Sequence, residues 1–320
     1  LLEDLKKNTF DRYEAFTVAE VFNMKENELA QFVGDGGHFS TMFDFCAHPV
    51  FSTQKGPFES TAAKLETLKH VLFSSQLRCQ DVGFLANVLE NHDCPRCIDR
   101  YLPPYAQNDN GAKMLGTINV LLRGIPFLYQ GQEIGMRNCP MESIDDYDDI
   151  GTRSEYQTAL KAGLTEAEAL DSCYHTSRDN ARTPMQWDTS ENAGFTTGSP
   201  WLKVNPNYKE INVKAQLHDK DSLLSYYKKL LALRKSPEYR EVFTYGRFSP
   251  ILEDTKNLLA YERKLGEKSA FVFANFGDQP LDIKTKALSG ATVLLSNQET
   301  VSIHKEQLTL APCQVVVTGI

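Results

Sequence analysis

The sequence lacks the features that mark membrane, fibrous and nucleic-acid-binding proteins. No apolar run reaches the length of about 18 residues at which a spanning helix becomes a reasonable reading. Glycine (19) and proline (14) are too sparse in 320 residues for a collagen-like or low-complexity chain. No block of Lys or Arg occurs, and 34 basic residues against 42 acidic ones leave a net charge of −8. Such a surface has few cations with which to displace counterions from a nucleic acid, so neither a nucleic-acid nor a membrane partner is expected. The seven cysteines are an odd number, scattered over 46–313 rather than packed into the framework of a small secreted domain. A reducing compartment, the cytoplasm, is therefore expected. What is present, 41% hydrophobic residues with mixed charge, is enough for one large core and a smaller one.

Short apolar runs alternate with helical periods. The chain starts on an amphipathic helical phrase, Leu1-Leu2-Glu3-Asp4-Leu5-Lys6, as though cut inside a fold. Strands are predicted at 16–19, 39–45, 82–89 and 125–129, with helices at 23–32, 59–77 and 110–123 between them. Four β-then-α units imply parallel strands with crossover helices, because parallel neighbours cannot be joined by a tight turn. Polar groups just beyond strand ends suit either an α/β barrel or an open doubly wound sheet. The stretch 138–218 reads as long, polar and irregular apart from one helix announced by Thr165-x-x-Glu168, and an excursion of that length is usually a lid or a wall. Asp221 is expected to cap a following helix. From about residue 241 the period changes to two, with a hairpin at 258–264 and 269–276 and further strands at 291–295 and 314–318. The predicted division is 1–240 and an antiparallel β-domain at 241–320.

Two carboxylates at the ends of different strands, Glu20 and Asp93, are the sharpest chemical signal. Such a pair can protonate a leaving group and stabilise a cationic transition state, as glycoside hydrolysis requires. Asn91, His92 and Arg96 surround Asp93 in sequence. Cys94-Pro95-Arg96-Cys97 has the spacing of a zinc or redox pair, but no other cysteine pair shares it, so ordinary loop cysteines are expected. The acidic run 142–149 faintly matches a calcium loop through Asp146, Asp148 and Gly151; the remaining ligand positions fail and a solvated face is expected. Arg178, in 178–184, can serve a sugar hydroxyl or a structural ion pair. His38 and His48 read as structural.

Taken together these residues resemble the C-terminal half of an α-glucosidase of glycoside hydrolase family thirteen, the α-amylase family, close to its oligo-1,6-glucosidase branch. Thr17-Val18-Ala19-Glu20 is similar to the strand-five motif, Glu90-Asn91-His92-Asp93-x-Pro95-Arg96 to the strand-seven motif, and Tyr129-Gln130-Gly131-Gln132-Glu133-Ile134-Gly135-Met136 to the strand-eight phrase. The stretches 178–187 (RDNARTPMQW) and 201–213 (WLKVNPNYKEINV) resemble the wall of the substrate pocket. The resemblance implies strands five to eight of a (β/α)8 barrel followed by an antiparallel β-sandwich. It implies Glu20 as general acid/base, Asp93 as transition-state stabiliser, and His92, Arg178 and Arg96 as substrate-binding residues, acting on α-glucoside oligosaccharides.

The family's nucleophile belongs at the end of strand four, and no such motif precedes Glu20. The expectation is therefore a chain inactive alone, whose partner is the missing N-terminal half of the barrel. No cofactor or metal is expected; any calcium site of a full enzyme would lie in that half. Sucrose isomerase or another transglycosylase is an alternative within the fold, and a transporter-heavy-chain-like partner protein a non-enzymatic one.

Overall fold

The computed structural model describes residues 1–22, 24–47 and 65–320. Asn23, His48 and the first predicted turn of the helix at 59–77 lie outside the described residues.

The first half is built on four parallel strands. After a short exposed helix α1 (Leu2–Asn8) comes β1 (Val18–Ala19), then α2 (Leu29–Phe32), β2 (Thr41–Asp44), α3 (Leu65–Cys79), β3 (Ala86–Val88), α4 (Cys97–Tyr101), α5 (Asp109–Leu121) and β4 (Ile125–Phe127). The strands lie in sequence order, β1-β2-β3-β4, each parallel to the next. This is half of an α/β barrel, with all four strand C-termini at one end. Pro126 sits in β4, opposite Asn87 of β3. Gly124, at φ +136°, brings the chain into β4 so tightly that a Cβ would stand 2.4 Å from the Leu85 carbonyl oxygen. His38 is structural: its Nδ1 lies 2.6 Å from the Gln31 carbonyl.

The stretch 138–218 holds more helix than its polarity suggests: α6 (Ile150–Lys161), α7 (Glu166–Thr176), α8 (Asp179–Arg182) and α9 (Val213–Gln216). Helix α7 begins on the expected capping box, with Thr165 N donating to Glu168 Oε2 at 2.8 Å and Glu168 N to Thr165 Oγ1 at 3.3 Å. Helix α6 escapes sequence reading because only Thr152, Tyr156 and Ala159 of its twelve residues are buried. Tyr156 and Ala159 join Cys139, Met141, Tyr147, Ala169 and Cys173, a small apolar core belonging to the excursion itself.

Helix α10 (Leu223–Arg234) follows, capped by Ser222 rather than Asp221: the Ser222 hydroxyl accepts from the Ser225 amide at 3.2 Å. The expected strand period from 241 gives way first to a helix, α11 (Arg240–Tyr245). Strands β5 (Arg247–Pro250), β6 (Leu258–Leu265), β7 (Lys268–Asn275), β8 (Leu281–Lys284), β9 (Thr292–Ser296), β10 (Ser302–His304), β11 (Gln307–Leu310) and β12 (Val315–Gly319) then form two antiparallel sheets, β5-β6-β7-β12-β9 and β10-β11-β8. The central strands are apolar on both faces, and the alternation explains why. Leu258, Ala260, Phe271, Phe273 and Val316 face the smaller sheet. Leu259, Tyr261, Val272, Val315 and Val317 instead join Leu115, Ile118, Leu121 and Leu230 of α5 and α10 in one continuous core. Arg263, fully buried, donates to the Leu121 carbonyl at 2.8 Å, and Arg234 to Val120 at 2.5 Å, satisfying carbonyls that α5 leaves open at its end; Arg234 also donates to Gly124 at 2.6 Å.

Candidate active site

Both acidic residues singled out in the sequence sit at the C-terminal end of the parallel sheet. Glu20 follows β1 directly and is exposed; among the described residues nothing hydrogen-bonds or ion-pairs with its carboxylate. Asp93 lies five residues beyond the end of β3. With β2 between β1 and β3, the two strands are about 10 Å apart.

The turn bearing Asp93 is built on a buried ion pair. Glu90 is 2% exposed; its Oε1 accepts from Cys97 N at 2.9 Å and its Oε2 from Arg96 Nη1 at 3.0 Å. Arg96 also donates to the carbonyls of Gln130 (2.8 Å) and Ala181 (3.4 Å), so it ties the turn to the segment after β4 and to α8. Gly131 makes room for it: at φ +89° its absent Cβ would lie 2.4 Å from Met136 Sδ and 3.2 Å from Arg96 Nη1. Asp93 N donates to Asn91 Oδ1 at 2.9 Å, closing a tight turn that leaves His92 and Asp93 outermost.

Three side chains converge on the Asp93 carboxylate. His92 Nε2 is 3.1 Å from Oδ2, Arg178 Nη1 is 3.2 Å from Oδ1, and Arg182 Nη2 is 2.8 Å from the same oxygen. Arg182 Nε donates to the His92 carbonyl at 2.8 Å. Behind them, Arg178 Nε donates to Asp149 Oδ1 at 2.6 Å. That hydrogen-bonded carboxylate holds the Arg178 guanidinium above its ordinary value. Burial alone would push Asp149 up, but the bonds from Arg178 and Thr152 outweigh it and its carboxyl lies below the usual range.

The structure therefore brings His92, Asp93 and Arg178 together and sets Glu20 on the same rim. It corrects Arg96. At 1% exposure, with its guanidinium committed to Glu90, Gln130 and Ala181, Arg96 has no face to offer a sugar and acts as the anchor of the turn. Arg182, which sequence reading missed, is the arginine that meets Asp93 beside Arg178; its spacing of four from Arg178, the N-cap of the short helix α8, was the available signal. The acidic run is corrected as well. Asp149 is buried, and Asp148 Oδ2 accepts from Trp201 Nε1 at 3.0 Å, so the run's end is a structural junction rather than a solvated face. Cys94 and Cys97 are buried free thiols, and burial pushes both above the ordinary thiol value. Among the described residues no group of three or more His, Cys, Asp and Glu is placed to hold a metal ion, and no helix is long and apolar enough to cross a membrane.

Residues 1–246 match the family described as alpha amylase, catalytic domain. Oligo-1,6-glucosidase from Bacillus cereus is 36% identical over 324 residues, covering 99% of this chain and 57% of that protein. Among solved structures, trehalose-6-phosphate hydrolase from Bacillus licheniformis superimposes with a TM-score of 0.92 at 32% identity, over 99% of this chain and 58% of that one. Isomaltulose synthase from Klebsiella sp. LX3 gives 0.90 at 30% identity, over 99% and 58%. The chain thus spans little more than half the length of the relatives it matches.

Proposed function

The chain belongs to the α-amylase family, and from that premise we propose that it carries the acid/base half of a retaining α-glucosidase site, one that releases terminal glucose from short α-glucosides. Glu20 protonates the glycosidic oxygen as the leaving sugar departs. As a carboxylate it then takes a proton from the water that attacks C1 and frees the sugar from the nucleophile. Asp93 and His92 hold hydroxyls of the reacting glucose and favour its flattened, oxocarbenium-like form. Arg178 contacts the non-reducing sugar and makes the site exo-acting. The nucleophile comes from outside these 320 residues, in the barrel half that completes the sheet, and the chain alone does not turn over glucosides. The seven thiols are all free, which supports a cytoplasmic setting.

One observation carries this reading: a half-exposed carboxylate, Asp93, fixed between His92 and two guanidinium groups on the rim that also bears the exposed Glu20. Its test is the protein of complete length. Hydrolysis of 4-nitrophenyl α-glucoside should release α-glucose first, as followed by proton NMR, and Glu20→Gln should lower kcat/KM by about 10²- to 10⁴-fold. A Glu20→Gln enzyme as fast as its parent removes Glu20 from the mechanism. Turnover by the isolated, homogeneous chain overturns the divided site.

The likeness to isomaltulose synthase favours a second reading, in which a sugar rather than water accepts the glucosyl group on the same carboxylates. Sucrose as substrate separates the two: isomers of unchanged mass support transfer, free glucose and fructose support hydrolysis.

A further inference from the structure

Asp149 divides its carboxylate between two tasks. Oδ2 caps helix α6, accepting from Thr152 N at 2.9 Å and Thr152 Oγ1 at 3.0 Å. Oδ1 takes Arg178, with Nε at 2.6 Å and Nη2 at 2.5 Å. That leaves Nη1, the nitrogen that donates to Asp93. The Asp149 side chain is 6% exposed and that of Arg178 43%, so one carboxylate stands behind the guanidinium and the other in front of it.

The backbone carrying Asp149 is itself braced against the segment carrying Arg178. Asp179, fully buried, accepts from the amides of Asp148 (2.8 Å) and Asp149 (2.9 Å) through Oδ2. Trp201 holds Asp148 from outside. A half-exposed arginine samples many rotamers; donating Nε to a fixed carboxylate at its rear, with Nη2 ion-paired to the same oxygen, removes that freedom and leaves one nitrogen aimed.

We propose that Asp149 is a positioning residue of the site, holding Arg178 so that Nη1 is presented to Asp93 and to the non-reducing sugar. The sugar in that statement rests on the glucosidase reading; the aim of Arg178 does not.

Asp149→Asn separates the two tasks, because asparagine caps a helix about as well as aspartate but carries no charge for the guanidinium. In the protein of complete length, kcat/KM for 4-nitrophenyl α-glucoside should fall by about 10- to 100-fold, the cost of losing a charge-assisted pair, with circular dichroism unchanged. Since Asp149 acts through Arg178, the double variant Asp149→Asn/Arg178→Ala should be no slower than Arg178→Ala alone. A variant within about threefold of its parent, or losses that multiply, overturn the proposal. A second measurement needs no turnover: modification by phenylglyoxal, followed by peptide mass spectrometry, with exposed Arg12 as internal control. Arg178 should react slowly in the parent and severalfold faster in Asp149→Asn, while Arg12 does not change. An unaltered rate at Arg178 overturns the proposal. Should the parent cleave no α-glucoside, the glucosidase reading falls and the labelling still decides whether Asp149 aims Arg178.

Discussion

Arg182 and Asp93 are joined by a fork: Nη2 meets the carboxylate at 2.8 Å while Nε of the same guanidinium meets the carbonyl of the preceding residue, His92, also at 2.8 Å. The two contacts fix the carboxylate's direction as well as its place. Lysine at 182 keeps the charge but cannot span both acceptors. Arg182→Lys in the complete enzyme should lower kcat/KM for 4-nitrophenyl α-glucoside by about tenfold with little change in melting temperature. Steady-state kinetics and thermal unfolding on one preparation check this.

The buried Glu90–Arg96 pair leads to a different expectation. Arg96→Met strands a carboxylate that is 1% exposed, and the loss should be about 3–5 kcal/mol. Adding Glu90→Gln should restore part of it, since the buried charge is gone. Urea unfolding of the two variants measures both numbers. A raised KM with stability intact would return Arg96 to the substrate.

Arg263 makes an analogous prediction for the junction between the barrel helices and the β-domain. It donates to Leu121 at 2.8 Å and to Gly246 at 2.9 and 3.2 Å from a fully buried position. Arg263→Met leaves both carbonyls without that donor and should cost about 3 kcal/mol, read as a lowered melting temperature.

Alkaline pH should destabilise the fold. Burial pushes Cys79, Cys139 and Cys173 from near 9 to about 11. Between those values the unfolded chain gives up protons that the folded one keeps, so stability falls with rising pH. The contribution of these thiols is whole below pH 9 and lost by about pH 11. Arg234 and the buried Arg263, pushed down by desolvation to about 10 and 9, act in the opposite sense. The thiols prevail because burial also raises Cys46, Cys94, Cys97 and Cys313. The urea midpoint should drop between pH 8 and 10.5, less steeply in Cys79→Ala.

The alternation of strand and helix, the capping box of α7 and the placing of Glu20 and Asp93 after strands were legible because each depends on neighbours a few residues away. Helix α6 was not: three buried positions in twelve leave almost no periodic trace, and its cap, Asp149, hides in an acidic run that reads as solvent-facing. Helix α11 was hidden because the apolar residues that define it, Val242 and Phe243, belong to a core shared with strands that follow it.

Arg96 and Arg182 mark the boundary most sharply. By itself the sequence determined that the turn after β3 bears a histidine and an aspartate, with an arginine three residues on. Only the tertiary structure decided that this arginine turns inward to Glu90 while Arg182, 89 residues beyond Asp93, comes forward to hold it. Local pattern fixes which face of an element is apolar, but a charged side chain goes where its partner is. That partner is set by how the excursion folds back over the strand ends, a matter of packing between segments far apart in the chain.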